Sequence, residues 1–220
     1  MIQLVIFDLD GTLVNTIPDL ADSVNFSLNR NGFPTHGYTD YPGFVGNGIY
    51  KLIERALPAD HRDTDTILSV KEVFVKYYMK HCVDKSAVYQ GVDNLLHQLC
   101  DKGVKVAVAS NKVHVATLHM MKVIFPDIPF ACVLGQRNGV PTKPDPAIVF
   151  EILRTTNVNP NEVLYVGDSG VDMQTAHNAG LAAVGVSWGL RPVSELQQFE
   201  ADYIIDEPSE LLRLLTLEVL

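Results

Sequence analysis

Cysteine, tryptophan, basic residues and long apolar runs are all scarce in this chain, and most of these shortages remove a class of protein. Cys82, Cys100 and Cys132 are odd in number and show no CxxC spacing, which suggests neither a disulfide framework nor a zinc ribbon and points to a reducing compartment. No stretch approaches the ~18 consecutive apolar residues of a membrane-spanning helix, and Met1 passes straight into a strand-like stretch without a basic leader. A cytoplasmic protein is expected. Lys and Arg number 17 against 26 Asp and Glu, a net charge of −9, so neither a nucleic acid nor an anionic membrane is expected as a partner. The seven histidines show no HxxxH or HExxH spacing, and no GxGxxG or P-loop occurs. Internal repeats and low-complexity tracts are absent too.

What is present is the balance of an ordinary folded protein, with 47% hydrophobic and 20% charged residues. Gln3–Phe7 and Val104–Ala109 are short apolar runs rich in β-branched residues that stop at polar residues rather than at hairpin turns, the pattern of buried parallel strands. Ala131–Leu134, Glu162–Val166, Ala182–Val186 and Tyr203–Ile205 repeat it, mostly separated by segments of helical period. The alternation predicts an α/β fold with a doubly wound parallel, Rossmann-like sheet. Nearly one hundred residues separate the first strand from the second, far more than one crossover helix needs. Within that gap Thr16 is placed to cap a helix carrying Ile17, Leu20, Val24 and Leu28, which Gly32 stops. A second helix is expected over Ile49–Leu57, and Ile67, Val70, Val73, Phe74 and Tyr77 form a third stripe. Val92, Leu95, Leu96 and Leu99 mark a crossover helix closed near Gly103. The expected division is a core of residues 1–14 and 86–220 with an inserted α-helical module over 15–85.

Ligands bind such sheets outside the carboxyl ends of the strands. The first strand ends in Asp8-Leu9-Asp10-Gly11-Thr12, and two carboxylates at the end of an interior run have no packing reason to be there. Neighbouring carboxylates repel unless a cation or a shared proton intervenes, so the pair points to a divalent metal, to a nucleophile with an acid/base partner, or to both. Alone, the motif reads equally well as an Asp-Gly turn after an edge strand. A second acidic strand end, Gly167-Asp168-Ser169-Gly170-Val171-Asp172, decides otherwise, since two such clusters on one sheet edge can build an all-oxygen site suited to Mg²⁺. A third strand ends in Ser110-Asn111, whose hydroxyl and amide can hydrogen-bond a phosphate oxygen. Thr142-Lys143-Pro144 holds a lysine in a loop stiffened by proline, able to neutralise a phosphoryl group.

The order DxDGT, S-N, K-P, GDxxxD spans essentially the whole chain and resembles the haloacid dehalogenase superfamily of phosphotransferases. The inserted module is similar to that family's α-helical cap domain, and Val45-Gly46-Asn47-Gly48 with the helix after it is similar to the phosphoglycolate phosphatase branch. The resemblance implies a phosphatase of small phosphorylated metabolites. Asp8 would then be the nucleophile, Asp10 the general acid/base, and Thr12, Ser110, Asn111 and Lys143 the holders of the phosphoryl oxygens. It implies Mg²⁺ on Asp8, the Asp10 carbonyl and Asp168, with Asp172 either a ligand or a group orienting metal-bound water. Asp10 argues against the metal-free dehalogenases that name the superfamily. A phosphomutase of the β-phosphoglucomutase type remains the alternative, because motifs do not report how long a phosphoenzyme resists water. The chain departs from its nearest branch at Tyr41-Pro42-Gly43-Phe44, where a basic residue is common. Lys51 and Arg55 either compensate for it or form a solvated surface pair. Trp188, Gly189 and Arg191 follow a strand end and reach either the site or only the surface.

Overall fold

Residues 1–216 are described by the computed structural model, in which they form two units, 1–14 with 88–216 and 15–87. In chain order, β1 (Leu4–Phe7) and the two-residue β2 (Val14–Asn15) precede the helices of the smaller unit, α1 (Ile17–Arg30), α2 (Gly48–Ala56) and α3 (Thr64–His81), and a second two-residue strand, β3 (Ala87–Val88), comes after them. Helices and strands then alternate as α4 (Val92–Asp101), β4 (Lys105–Val113), α5 (His114–Ile124), β5 (Cys132–Gln136), α6 (Ala147–Thr156), β6 (Val163–Gly167), α7 (Gly170–Asn178), β7 (Ala182–Val186), α8 (Val193–Gln198), β8 (Tyr203–Ile205) and α9 (Leu211–Leu214).

The six longer strands pair in parallel in the order β5-β4-β1-β6-β7-β8, the α/β Rossmann-like fold expected. Strand β1 is central and all four of its side chains are buried, as a strand with helices on both faces requires. Leu4 and Ile6 pack with Ala107, Ala109, Val163 and Tyr165 in one apolar core cluster, each aliphatic side chain contributing roughly 2 kcal/mol when fully buried. Register fixes where each strand delivers its next residue. Phe7 is level with Val108 and Val166, and Val166 with Val184, so the chain leaves β1, β6 and β7 at one edge and at nearly one height, while β4 continues past that level beside β1.

Two local expectations are corrected. The strand expected to stop at Ala109 runs through Ser110 and Asn111 to Val113, with a break in register against β5 between Ala109 and Val113. Ser110, Asn111 and Lys112 are themselves buried, so the chain has no reason to turn out to water there. Thr16 stands at the N-cap of α1 without a side-chain capping bond; the Asn15 side-chain oxygen accepts the Ile17 N–H instead, at 3.2 Å. Among the described residues no helix is long and apolar enough to cross a membrane.

Within the smaller unit, Ile17, Leu20, Val24 and Leu28 of α1 are buried, as are Ile67, Val70, Phe74 and Tyr78 of α3. Helix α3 is rotated slightly from the expected stripe, so Val73 and Tyr77 are only half-buried and Tyr77 stacks on Phe26, ring centroids 4.0 Å apart. Asp63 caps α3 by accepting the Thr66 N–H. One buried carboxylate closes the unit: Asp19 accepts the Lys85 N–H (2.9 and 3.1 Å), the Ser86 N–H (2.7 Å) and the Ser86 hydroxyl (2.7 Å). Asp19→Ala leaves those donors without their acceptor, and the loss expected is about 2 kcal/mol of unfolding free energy, read as a lower urea midpoint. A midpoint equal to wild type would show that water replaces the carboxylate at no cost.

Candidate active site

The carboxyl end of β1 lies where the strand order departs to either side, between β4 and β6, the position at which open α/β sheets gather ligands. Asp8 leaves β1 there, Asp168 comes directly after β6, Asp172 sits in the first turn of α7, and Lys143 comes from the loop before α6. Oxygens of Asp8, Asp168 and Asp172 lie within 4.8 Å of one another, all three residues buried. Asp8 and Asp10 do not share one side of an extended strand. The Leu9 carbonyl accepts the N–H groups of Thr12, Leu13 and Val14, so the chain turns between the carboxylates and each meets its own lysine.

Lys143 Nζ lies 2.9 Å from Asp8 Oδ1 and donates to Asp172 Oδ1 at 2.7 Å and to the Tyr165 hydroxyl at 3.1 Å. Burial works against its charge, but Asp172 and Asp8 outweigh it and hold the ammonium pKa above its ordinary value. The other oxygen of Asp172 accepts from the Ser169 amide (3.2 Å) and hydroxyl (2.6 Å). Asn111 accepts the Lys143 N–H at 2.9 Å and donates to the Lys143 carbonyl at 3.1 Å; the carboxamide expected on a phosphate oxygen is engaged at both ends with the main chain of the lysine it positions. Ser110 is buried and its hydroxyl accepts the Lys112 N–H at 3.2 Å. Thr12 donates a long 3.5 Å bond to Asp168 Oδ1.

Close approach at this edge requires glycine. Gly11 has φ +91°, and a Cβ there would overlap the Asp168 carboxylate; one on Gly167 would overlap Asp172. Burial pushes the Asp8 carboxyl up to about 7, against the pull of Lys143 and with the help of Asp172 and Asp10. Asp168 is raised well above the carboxylate range by burial first, then by Asp172 and Asp8. Although it lies beside Lys143, Asp8 Oδ1 makes no hydrogen bond of acceptable geometry. Four carboxylates thus face two ammonium groups, Lys143 and Lys112. With all four ionised the deficit would equal the charge of one divalent cation, whose arrival would favour the ionised forms of Asp8 and Asp168, and the all-oxygen donor set suits a hard ion.

Comparison with known proteins identifies the family. The sequence profile of the haloacid dehalogenase-like hydrolases matches residues 5–186. The chain belongs to this family. It is 35% identical to a phosphoglycolate phosphatase of Haemophilus influenzae over 97% of this chain and 98% of that protein. A phosphoglycolate phosphatase of Pseudomonas syringae pv. tomato is 36% identical over 88% of this chain and 73% of its own length. Among solved structures, a predicted phosphoglycolate phosphatase from Haemophilus somnus superposes with a TM-score of 0.88 at 30% identity, covering 97% of both chains.

Two site residues of this family member escape a reading of motifs. Lys112 Nζ contacts both oxygens of Asp10, at 2.9 and 3.0 Å, with only 5% of the lysine side chain exposed. Its signal was strand period: in a strand that continues past Ser110, residue 112 projects to the same side. Tyr165 lies at the middle of the apolar run of β6, where a buried hydroxyl must find a partner, and it finds Lys143, Asp172 and, at 3.5 Å, the Ala109 carbonyl. In the smaller unit, Arg55 donates to the Phe44 carbonyl (3.1 Å) and to Asn47 Oδ1 (2.7 Å), bracing the loop before α2, while exposed Lys51 pairs with Glu54 at 2.6 Å. The two cations therefore do different things.

The raised pKa of Asp8 has a sign that can be tested in protein stripped of divalent cations by a chelator. Between an ordinary carboxylate value near 4 and about 7, folded Asp8 retains a proton that the unfolded chain has lost, so its contribution to stability falls as pH rises. Asp8→Asn removes that liability. The urea midpoint of Asp8→Asn minus that of wild type is expected to grow between about pH 4 and about pH 7, and a difference constant across that range would mean that Asp8 titrates as an ordinary carboxylate.

Proposed function

We propose that this chain is a Mg²⁺-dependent phosphatase that hydrolyses a small phosphate monoester, 2-phosphoglycolate or a close relative, through a phosphoaspartate on Asp8. The observation that carries the proposal is the Asp8 carboxylate, buried beside Lys143, with one oxygen lacking a well-formed hydrogen bond, in a buried cluster with Asp168 and Asp172. A solvated acid at a turn has none of these properties. In the first half-reaction an Asp8 oxygen attacks phosphorus as the bond to the ester oxygen breaks, and Asp10 protonates the departing alkoxide. In the second, Asp10 takes a proton from water, which attacks phosphorus, releases inorganic phosphate and restores the Asp8 carboxylate. Lys143, Thr12 and Ser110 hold the non-bridging oxygens, and Asn111 fixes Lys143.

Asp8, Asp168 and the Asp10 carbonyl would hold the ion, with Asp172 orienting its water. When bound, Mg²⁺ supplies charge that lets the anionic nucleophile and the phosphoryl group approach. The smaller unit acts as the cap that admits substrate and excludes water between half-reactions. Support for the branch comes from the two phosphoglycolate phosphatases that this chain resembles along most of its length.

Phosphate release from a panel of monoesters that includes 2-phosphoglycolate and hexose phosphates is expected with Mg²⁺ and is expected to vanish in excess EDTA. Release that survives EDTA would overturn the metal assignment, and preference for a hexose phosphate with recovery of its isomer would identify a mutase instead. Asp8→Asn should lower turnover by about a thousandfold or more while circular dichroism stays that of wild type; near-normal rates in that variant would remove Asp8 as nucleophile.

A further inference from the structure

The turn after β7 carries Trp188, the one tryptophan of the chain, and it meets the site from a side that the proposed chemistry does not use. The Trp188 indole N–H donates to the Thr12 carbonyl at 3.1 Å, and the Leu190 amide donates to Asp168 Oδ2 at 2.7 Å. Between them, a Cβ on Gly189 would overlap the Asp168 side chain, 2.7 Å from Oδ2, and would sit 2.7 Å from the Gly11 carbonyl. Three consecutive residues thus touch the loop after β1 and the carboxylate after β6.

The turn is itself anchored on both flanks. Ser187 donates its N–H to the Ile205 carbonyl (3.0 Å) and its hydroxyl to Asp206 (2.6 Å). Glu195, four residues beyond Arg191 and 3.9 Å from its Nε, accepts the Gly170 N–H at 2.9 Å at the start of α7. A carboxylate that loses one of its rotamers to such a frame has less freedom left to surrender when it takes a ligand.

We propose that Trp188–Leu190 is a positioning element for the metal site: it holds Asp168 in its ligand rotamer and the Asp8–Thr12 loop at its present height, and so sets affinity for the divalent ion without touching substrate. The inference rests on the reading of Asp168 as a metal ligand. Gly189 is the sensitive position because any side chain there displaces Asp168, whereas Trp188→Phe removes the hydrogen bond and part of the ring volume but keeps an aromatic side chain.

Equilibrium dialysis of chelator-stripped protein against Mg²⁺ tests it, with circular dichroism to establish folding. Gly189→Ala is expected to bind Mg²⁺ at least about tenfold more weakly than wild type, and Trp188→Phe about fivefold more weakly, the size of one lost hydrogen bond. In both variants phosphatase activity should return as Mg²⁺ is raised, with the KM for the ester at saturating metal unchanged; a merely structural defect would not be rescued in this way. A folded Gly189→Ala with wild-type affinity would overturn the positioning role. Should that variant not fold, Trp188→Phe decides alone, wild-type affinity again overturning the proposal. Wild-type protein that retains no Mg²⁺ would overturn the metal reading and this inference together, which separates the two failures.

Discussion

The crowding of buried carboxylates around Lys143 is the constraint on which the rest of the structure turns. Burying charge is unfavourable unless opposite charge and hydrogen bonds accompany it, and here one ammonium stands between Asp8 and Asp172 with Tyr165 as a third partner. Removing that lysine would leave Asp8, Asp168 and Asp172 in mutual repulsion in a dry setting. Much of the local architecture serves to keep it there. Asn111 clasps its main chain, Ser169 satisfies the far oxygen of Asp172, and glycines at 11 and 167 let the loops close on the carboxylates.

The sheet provides this concentration of charge through register. Parallel register of β1, β4, β6 and β7 brings residues far apart in sequence to one edge, and glycines at 11 and 167 let the chain close on it. The central position of β1 matters most. A slip of one residue would exchange the two faces of β1 and take Leu4 and Ile6 out of the cluster in which they pack, so the placement of Asp8 is protected by the same packing that stabilises Leu4 and Ile6.

How much of the fold and the site was legible depended on whether the signal was local. The apolar runs and the acids that end them were visible because burial on both faces writes a continuous hydrophobic stretch and an acid after it has no packing explanation. The position of Asp8 and Asp168 at one edge came from the topology that those runs imply. Lys112 was missed because its meaning depends on β4 continuing past Ser110, and what lets it continue is the burial of three polar residues, a tertiary fact. Asn111 was seen for its chemistry, a short amide at a strand end being able to bind phosphate, but its bonds to the main chain of Lys143, 32 positions further on, belong to the fold. The Asn15 bond that replaces a Thr16 cap differs by one residue, a resolution at which several polar side chains compete for the same amide.

Arg55 shows the same limit in the smaller unit and narrows the question of substrate. A helix cation beside a glycine-containing loop has two natural uses, to meet an anion or to tie the loop's carbonyls. Composition favours neither. In the structure its guanidinium is committed to Phe44 and Asn47, and a planar group already holding two acceptors gains less from a third than a free ammonium would. Lys51 is exposed and shares its charge with Glu54, where solvent screening leaves such a pair little energy to contribute. With a net charge of −9 on the whole chain, long-range attraction does not gather an anionic ester either. On the function proposed above, the phosphoryl group would be met at short range by Lys143, while Arg55 and Lys51, each already engaged within the smaller unit, offer no dedicated positive charge to the rest of an ester.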